Sequence, residues 1–400
     1  MSITRRSFLS TAAALGSGIF VSESLLAREL NRGTSNMLAL ENSMNRNMFT
    51  YVGCRTTKER NARGEGISVF QMDPNSGHWT HVQLVRDLVN PSFFVIDHRK
   101  QFLYCVHGDS TEISAFAIDR QTGQLTFVNK RSTQGRNPVH LAVDGSNRFV
   151  LVANYATGTL AVVPIDSDGS LGEVTQLVEL TGKPGPYSRV EQVSSHPHDI
   201  PFDPAGKFVV VPDKGLDRVF MFRFDAGAGK LSPAETGSLE LRPGSAPRHI
   251  AFHPTAKYAY VIDELDSTVT SYRYDAGRGH LDPFQVIPSV PDTFVGNNAG
   301  SEIAVAPSGK FVYGSNRGHD SIGIFAVDPT NGRLSPVGWE SSQGKGPRFF
   351  ALDPSGKFLY AANELSDTIV TFRVNQDTGK LSPTGQVVNT GTPVCIVFLV

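Results

Sequence analysis

One motif recurs seven times and organises nearly the whole chain. In each copy, alternating apolar residues lead to an acid, a short turn follows, and a glycine then precedes another apolar residue, as in IGIFAVDPTNGRL at residues 322–334. The acid positions are Asp73, Asp119, Asp166, Asp225, Asp275, Asp328 and, as an amide, Asn375. Successive positions are 46 to 59 residues apart. A strand-rich repeat of this length is typical of the blades of a β-propeller.

A second signature precedes the first and predicts a β-hairpin in each full unit. In GPRFFALDPSGKFLYAANEL (residues 346–365), an apolar stretch runs into DPSG and another apolar stretch returns. Proline at the second turn position and glycine at the fourth suit a type I turn. A third and a short fourth strand follow, one on each side of the motif glycine. The chain is therefore predicted to be an all-β, seven-bladed propeller with four antiparallel strands in each blade.

The two ends of the repeat region each lack part of a unit. MFTYV (residues 48–52) has no hairpin partner, and PVCIVF (residues 393–398) has no return strand. Pairing them within one blade would close the ring and remove two exposed sheet edges. A disulfide between Cys54 and Cys395, which lie beside and within these segments, is one expectation. Free buried thiols are the default for three cysteines without a CxxC spacing.

The N-terminal segment is predicted to be a targeting signal. TRRSFL (residues 4–9) has the twin-arginine pattern, and the apolar run that follows is too short and too weakly apolar for a stable membrane span. We therefore assign residues 1–27 to an export signal, residues 28–47 to a flexible linker and residues 48–400 to the propeller. The expected location is the periplasm or outside the cell, or the cytoplasm if the arginine pair is a chance occurrence.

The balanced charge and the sequence motifs indicate which class of partner the chain has. Lys plus Arg is 37 and Asp plus Glu is 38, which argues against nucleic acid as the main partner. No P-loop, dinucleotide fingerprint or Gly-x-Ser-x-Gly elbow occurs in a suitable context. We expect a small-molecule substrate, no cofactor or metal, no membrane contact once the signal is removed, and a monomer.

Aligning the units singles out the residues that break the pattern. In a propeller, the first strand of each blade lines the channel, so the start of that strand and the end of the second strand meet at one mouth. Charged and imidazole side chains collect in these columns or just after them: His140, His198, Arg248, Glu264, Glu302, Arg317, His319, Arg348 and Glu364. Two inserted loops, residues 183–195 and 290–298, precede this mouth and suit pocket walls. The charged set falls mostly in the third to sixth of the six full units, from His198 to Glu364, which predicts an off-centre site.

A purely structural role for these charges is the main alternative. Three opposite-charge pairs could form within single blades and only hold the hairpins together: Arg248 with Glu264, Glu302 with Arg317, and Arg348 with Glu364. However, Arg317 and Glu264 share a column although they come from different blades, so they could face one ligand. His196 and His198 could bind a metal, but no third ligand is evident. His198 is the better candidate for a general acid or base.

The segments around these residues resemble the seven-bladed propeller lactonase family, which includes the propeller type of 6-phosphogluconolactonase and the fungal carboxymuconate lactonizing enzyme. The longest matching strings are SHPHDIPFDPAGKFVVVPDKGLDR (residues 195–218), APRHIAFHPTAKYAYVIDELDSTV (246–269) and SEIAVAPSGKFVYGSNRGHDSI (301–322). The resemblance covers residues 48–400. It implies a metal-free site with a His, two Arg and a Glu, carried here by His198, Arg248, Arg317 and Glu264. The residues after Glu264 follow the bacterial lactonase branch rather than the fungal one.

These observations predict an enzyme that hydrolyses a sugar lactone. His198 is the candidate general base, and Arg248 and Arg317 would hold the oxyanion or an anionic group of the substrate. Glu264 would orient His198 or an arginine, or transfer a proton. The candidate substrate-binding residues are Glu302, His319, Arg348 and His140. The alternatives are a cycloisomerase that closes or opens a lactone on a dicarboxylic acid, and a non-catalytic propeller that binds a carbohydrate or a protein.

Overall fold

The computed structural model describes residues 48–187 and 190–400, and they form seven antiparallel sheets arranged as blades. The predicted export signal and linker lie outside the described residues. Helical structure is limited to two short 3-10 turns, Lys58–Arg60 and Val190–Gln192, in the described ranges. None of the helices in these ranges has the length and apolar character needed to cross a membrane.

Successive strands of each blade run antiparallel, starting from the strand nearest the channel. In chain order, the strands are β1 (Met48–Cys54), β2 (Ile67–Met72), β3 (Trp79–Val85), β4 (Pro91–Ile96), β5 (Phe102–His107), β6 (Glu112–Ile118), β7 (Leu125–Ser132), β8 (Pro138–Val143), β9 (Phe149–Asn154), β10 (Thr159–Pro164), β11 (Gln176–Glu179), β12 (Phe208–Asp213), β13 (Arg218–Asp225), β14 (Lys230–Glu240), β15 (Pro247–Phe252), β16 (Tyr258–Asp263), β17 (Thr268–Asp275), β18 (His280–Pro288), β19 (Ala299–Val305), β20 (Phe311–Arg317), β21 (Ser321–Val327), β22 (Leu334–Ser341), β23 (Pro347–Leu352), β24 (Phe358–Asn363), β25 (Thr368–Val374), β26 (Leu381–Asn389) and β27 (Pro393–Leu399). Blade 1 contains β27 and β1–β3. Blades 2 and 3 contain β4–β7 and β8–β11, and blade 4 contains β12–β14. Blades 5, 6 and 7 contain β15–β18, β19–β22 and β23–β26. First strands of neighbouring blades, such as β4 and β8, contact one another around the axis.

The chain ends close the ring as predicted. Strand β1 pairs with β2 on one side and with β27 on the other. Cys395 lies opposite Gly53, whereas Cys54 is opposite Pro393. Because neighbouring positions on a strand point to opposite faces, Cys54 and Cys395 belong to different apolar clusters. All three cysteines are free and buried, so the disulfide expectation is wrong and the default of free thiols is confirmed.

Blade 4 departs from the predicted four regular strands. Its innermost segment joins β12 only through isolated bridges, Pro197 with Asp213 and Phe202 with Val209. Pro197 and Pro201 interrupt this segment, and proline supplies no N–H to a sheet ladder. Backbone hydrogen bonds still hold the segment against β12, and one of them runs from His198 N to Pro212 O at 3.0 Å. The irregular segment therefore places His198 at the mouth without a full strand.

The glycine of the sevenfold motif is the point at which each blade meets its neighbour. All seven glycines have φ between 63° and 82°, and a Cβ on any of them would lie only 2.2 to 2.8 Å from an aromatic ring of the preceding blade. The ring–glycine pairs are Phe358–Gly77, Phe49–Gly123, Phe102–Gly169, Phe149–Gly229, Phe208–Gly279, Tyr258–Gly332 and Phe311–Gly379. Five buried tyrosines, two residues beyond these rings, also donate to the glycine carbonyl, as Tyr51 does to Gly123 at 2.9 Å. The motif glycine is therefore required for the packing between blades as well as for the turn.

The acid of the motif shapes the turn that presents this glycine. In blade 4, Asp225 Oδ1 accepts the backbone N–H groups of Gly227 and Ala228 at 2.8 and 3.1 Å. Asn375 replaces the acid in blade 7, and its amide oxygen accepts the equivalent two bonds at 3.0 Å each. An amide can stand at this position because the turn needs an acceptor oxygen and not a charge.

Replacing Gly123 with alanine is expected to lower the free energy of unfolding by about 2–5 kcal/mol, since the positive φ and the contact with Phe49 are both unfavourable to a side chain. Urea unfolding of the purified protein measures the change. Gly145→Ala is the matched control, because nothing lies within 4 Å of where its Cβ would be. Equal stability of the two variants would contradict the proposed packing role of Gly123.

Candidate active site

In each full unit, a buried residue at or next to the end of the second strand is hydrogen-bonded to the chain in or just beyond the turn that follows. Asp213 is the clearest case, because its Oδ1 accepts the N–H groups of His196, Gly215 and Leu216 at 2.9 to 3.0 Å. The equivalent residues of the other full units are equally buried: His107, Asn154, Asp263, Asn316 and Asn363. This column is structural, and the residue that follows it projects from a fixed turn.

Glu264 occupies that following position in blade 5 and is the centre of a buried charge cluster. Its carboxylate lies 2.8 Å from Lys214 Nζ, 3.2 Å from Arg248 Nε and 3.1 Å from Arg317 Nη2. These cations come from blades 4, 5 and 6. Burial disfavours the charged carboxylate, but the three cations outweigh it and hold the pKa of Glu264 well below its usual range. Glu264 therefore stays ionised and can orient arginines, but it is a poor proton donor.

The within-blade pairing alternative accounts for only part of this arrangement. The Arg248–Glu264 pair forms, and Arg348 Nε lies 4.0 Å from Glu364. Glu302, however, pairs with His249 rather than with Arg317, and Arg317 crosses to the neighbouring blade. Arg317 and Glu264 thus contact each other across two blades, and the expectation that they face one ligand stays a prediction.

Two histidines and a glutamate form a buried chain beside the charge cluster. His198 Nδ1 lies 3.2 Å from His249 Nε2, and His249 Nδ1 lies 3.0 Å from each carboxylate oxygen of Glu302. Burial, and then the positive charge of Arg248, lower the pKa of both imidazoles well below the usual value. His198 is therefore neutral near pH 7 and able to accept a proton.

His140 belongs to a second, separate pair. Its Nε2 lies 3.1 Å from Asp199 Oδ1, while Asp199 Oδ2 accepts the N–H of Ile250 at 2.9 Å. Burial raises the pKa of Asp199 to about 8 and lowers that of His140. The imidazole packs on Phe93, with 4.0 Å between ring centroids. This pair lies next to the chain of His198 and His249, but His140 is not among the residues that line the cavity.

A narrow cavity opens where the innermost strands converge. Its lining residues come from six of the seven blades: Arg55, Ser92, Phe93, Val139, His198, Arg248, His249, Arg348, Phe349 and Val394. The lining contains three guanidinium groups and no carboxylate. The lining therefore extends beyond the predicted arc of blades 4 to 7 to residues of blades 1, 2 and 3, and an off-centre position of the chemistry stays a prediction.

Arg55 has two buried guanidinium nitrogens without a hydrogen-bond partner among the described residues, whereas Arg248 has one. Arg55 is only 4% exposed, and the two nitrogens are its Nε and Nη1. The nearest carboxylate oxygens belong to Glu364 and Asp109, at 3.8 and 3.9 Å. Burying guanidinium N–H groups without partners is costly. Such groups at a cavity wall favour an anionic or oxyanionic ligand.

The predicted residues therefore fall into three positions. His198, Arg248 and Arg348 line the cavity. Glu264, Arg317, Glu302 and His140 lie behind that lining, each paired with another side chain. His319 lies at the rim, where its Nδ1 is 2.7 Å from Ser321 Oγ and its ring meets Phe294 of the inserted loop 290–298 edge-on.

Three residues of the site escaped the prediction. Lys214 and His249 stand in the aligned columns, but they were not selected. Arg55 is the equivalent of Glu264 on the ring-closing strand β1, so extending the column to the N-terminal strand would have found it. The two histidines that suggested a metal have other partners: His196 stacks on Tyr155 with its Nδ1 2.9 Å from Tyr155 O, and His198 Nδ1 lies 3.2 Å from His249 Nε2. In residues 48–187 and 190–400, no three metal-binding side chains are grouped around one point.

Comparisons of the sequence and of the fold with known proteins all find lactonases. The family model described as "Lactonase, 7-bladed beta-propeller" matches residues 49–398. The chain is 37% identical over 308 residues to a 6-phosphogluconolactonase of Bacillus subtilis, covering 76% of this chain and 86% of the relative. It is 34% identical over 314 residues to a 6-phosphogluconolactonase of Formosa agariphila, with the same coverage. The solved periplasmic gluconolactonase of Pseudomonas aeruginosa superposes with a TM-score of 0.82 at 28% identity, covering 88% and 99% of the two chains.

Proposed function

The chain belongs to the 7-bladed β-propeller lactonase family, and we propose that it hydrolyses a sugar lactone at the channel mouth. The observation that carries the proposal is the cavity in which the neutral imidazole of His198 lies among three guanidinium groups, two of them buried. The names of the relatives, 6-phosphogluconolactonase and gluconolactonase, support the same reaction. The protein is then a hydrolase that opens a cyclic ester.

The proposed reaction needs one base and one oxyanion site. His198 accepts a proton from water as the water oxygen attacks the lactone carbonyl carbon. The carbonyl oxygen becomes anionic, and when it reforms the C=O bond the ring C–O bond breaks. The proton held by His198 then passes to the ring oxygen that leaves as a hydroxyl group. The sum is one water consumed and one open hydroxy acid formed.

Arg248 is the candidate oxyanion donor. Its Nη1 donates a hydrogen bond to Ser301 O at 2.6 Å, and its Nε lies 3.2 Å from Glu264 in an ion pair, so a hydrogen bond and a charge hold the guanidinium in place. Donors that are held in place before the reaction stabilise developing charge without reorganisation. Glu264, Arg317 and Lys214 would act indirectly by holding this guanidinium in position. Arg317 is therefore proposed as a support of the oxyanion site rather than as a donor.

Replacing His198 with glutamine is expected to lower kcat by about 10²- to 10⁴-fold, the usual contribution of a general base. Lactone hydrolysis followed by pH-stat titration measures the loss. His253→Gln is the matched control, because His253 only ties a turn to Thr255 and to Gly309 O. If His198→Gln retained wild-type turnover and lost only binding, the non-catalytic propeller alternative would replace this proposal.

Arg55 and Arg348 are proposed to bind an anionic substituent of the substrate, either a phosphate or a carboxylate. Oxyanion stabilisation already occupies Arg248, and the remaining two guanidinium groups on the cavity wall match an anion by forked hydrogen bonds. The phosphorylated substrate named for the Bacillus and Formosa relatives has such a group. A lactone with a carboxylate would present the same chemistry.

Arg55→Gln is expected to raise KM for the anionic lactone by roughly 10- to 100-fold, as loss of a charge-assisted hydrogen bond predicts. The assay compares a neutral sugar lactone, its phosphate ester and a carboxylate-bearing lactone, with a muconate-type dicarboxylic acid as the test for cycloisomerase activity. Arg86→Gln is the control, because Arg86 is exposed and pairs with Glu65. An equal effect of Arg55→Gln on neutral and anionic lactones would contradict the assignment.

Residues 1–27 are proposed to direct export by the twin-arginine route. The support is the TRRSFL pattern and the similarity to a periplasmic gluconolactonase. Changing Arg5 and Arg6 together to lysine is expected to retain the full-length chain in the cytoplasm, and fractionation with N-terminal sequencing measures this. Arg28→Lys, just beyond the signal, serves as the control. An uncleaved wild-type chain in the cytoplasm would contradict the proposal.

A further inference from the structure

The geometry points to a hydrogen-bonded relay in which Glu302 and His249 position His198 and determine which of its ring nitrogens is the base. This inference rests on the proposed lactone hydrolysis and assigns roles to two residues that do not touch the reacting atoms in that mechanism. Glu302 and His249 are thus positioning residues. His198, His249 and Glu302 come from blades 4, 5 and 6, so the relay crosses two blade boundaries.

The direction of the relay follows from Glu302. Both of its carboxylate oxygens lie 3.0 Å from His249 Nδ1, and Oε1 also accepts the backbone N–H of Ile303 at 3.0 Å. Two equal contacts fit one N–H shared between two acceptors, whereas a carboxylic acid would make one shorter O–H bond. Although burial raises the pKa of Glu302 to about 8, these N–H contacts favour its charged form. His249 Nδ1 therefore carries a proton.

The state of His198 then follows by elimination. A neutral imidazole has one N–H and one lone pair, so His249 Nε2 carries the lone pair. That nitrogen lies 3.2 Å from His198 Nδ1, which must supply the hydrogen. The lone pair of His198 is consequently on Nε2, and this atom is the base that takes the proton from water. The charge of Glu302 stabilises the imidazolium as it forms, as the carboxylate of a catalytic triad does.

Burial keeps this arrangement in one conformation. His198, His249 and Glu302 are 5%, 4% and 8% exposed, so the hydrogen bonds between them are shielded from bulk water. Phe93 meets the His249 ring edge-on at 6.3 Å, and Tyr155 does the same for His198 at 5.7 Å. A side chain fixed by packing on one side and by a hydrogen bond on the other keeps its catalytic orientation.

Other charged or titratable groups surround the relay and would be unchanged in a variant of Glu302. They are Arg248, Arg348, Arg317, Lys214, Glu264, Asp199, His140 and Tyr155. The arginines and Lys214 are cationic and Glu264 stays ionised. The difference between wild type and variant therefore reports the charge of Glu302.

The test is Glu302→Gln, which keeps the shape of the side chain and removes its charge. We expect kcat to fall by at least about 10²-fold with KM near the wild-type value, as for loss of the orienting carboxylate in a triad. Without the negative charge the imidazolium of His198 is less stable and its pKa is lower. The acid-side inflection of the kcat/KM profile is therefore expected to move to lower pH, a shift that a merely structural role would not cause.

Two further variants make the result decisive. His249→Gln is expected to give a similar loss, and the double variant little more than either single one, since a relay acts as a unit. Glu340→Gln, the same change on the outer strand β22 of the same blade, is the matched control, and circular dichroism verifies folding. Wild-type kcat and an unshifted pH profile in Glu302→Gln would overturn the relay. A wild-type protein without lactonase activity would instead overturn the proposed function.

Discussion

The contact between an aromatic ring of one blade and the motif glycine of the next is the constraint on which the rest of the structure depends. Each blade is a sheet with two apolar faces, and it can bury both only between two neighbours. The seven ring–glycine pairs, together with the five tyrosine hydroxyls that donate to glycine carbonyls, fix how closely successive blades approach. Closure through β1 and β27 turns this local spacing into one rigid channel.

A rigid channel explains how the mouth can hold so many buried charges. Glu264 has three cationic partners from three blades, and the imidazoles of His140 and His249 each face a carboxyl group. Buried ion pairs are weak stabilisers, because desolvation offsets most of their attraction. The location of these ion pairs at one end of the channel fits a role in binding and catalysis, while the interfaces between blades stabilise the fold. The unpartnered N–H groups of Arg55 have the same explanation.

The site was predictable where the repeat itself carried the signal. His198, Arg248 and Arg348 were found by column, and all three line the cavity. Glu264 and Arg317 were also found, but their columns could not show that they face each other behind the lining. Arg55 was missed because β1 has no hairpin partner next to it in the sequence, so the column was not extended to this strand. The disulfide expectation failed because it depended on register, which sequence proximity to the chain ends did not determine.

The sequence by itself determined the number of blades, the hairpins, the closure of the ring and the end of the channel at which chemistry is expected. These follow from local periodicity, since turn residues and alternation act over a few positions and repeat at a fixed spacing. Tertiary structure alone decided which side chains meet: His249 between His198 and Glu302, Glu264 among three cations, and a central cavity shared by six blades. The physical reason is that all but the Arg248–Glu264 contact join residues about 50 or more positions apart, and their distances depend on the angle and spacing between blades, which packing sets and no single repeat encodes.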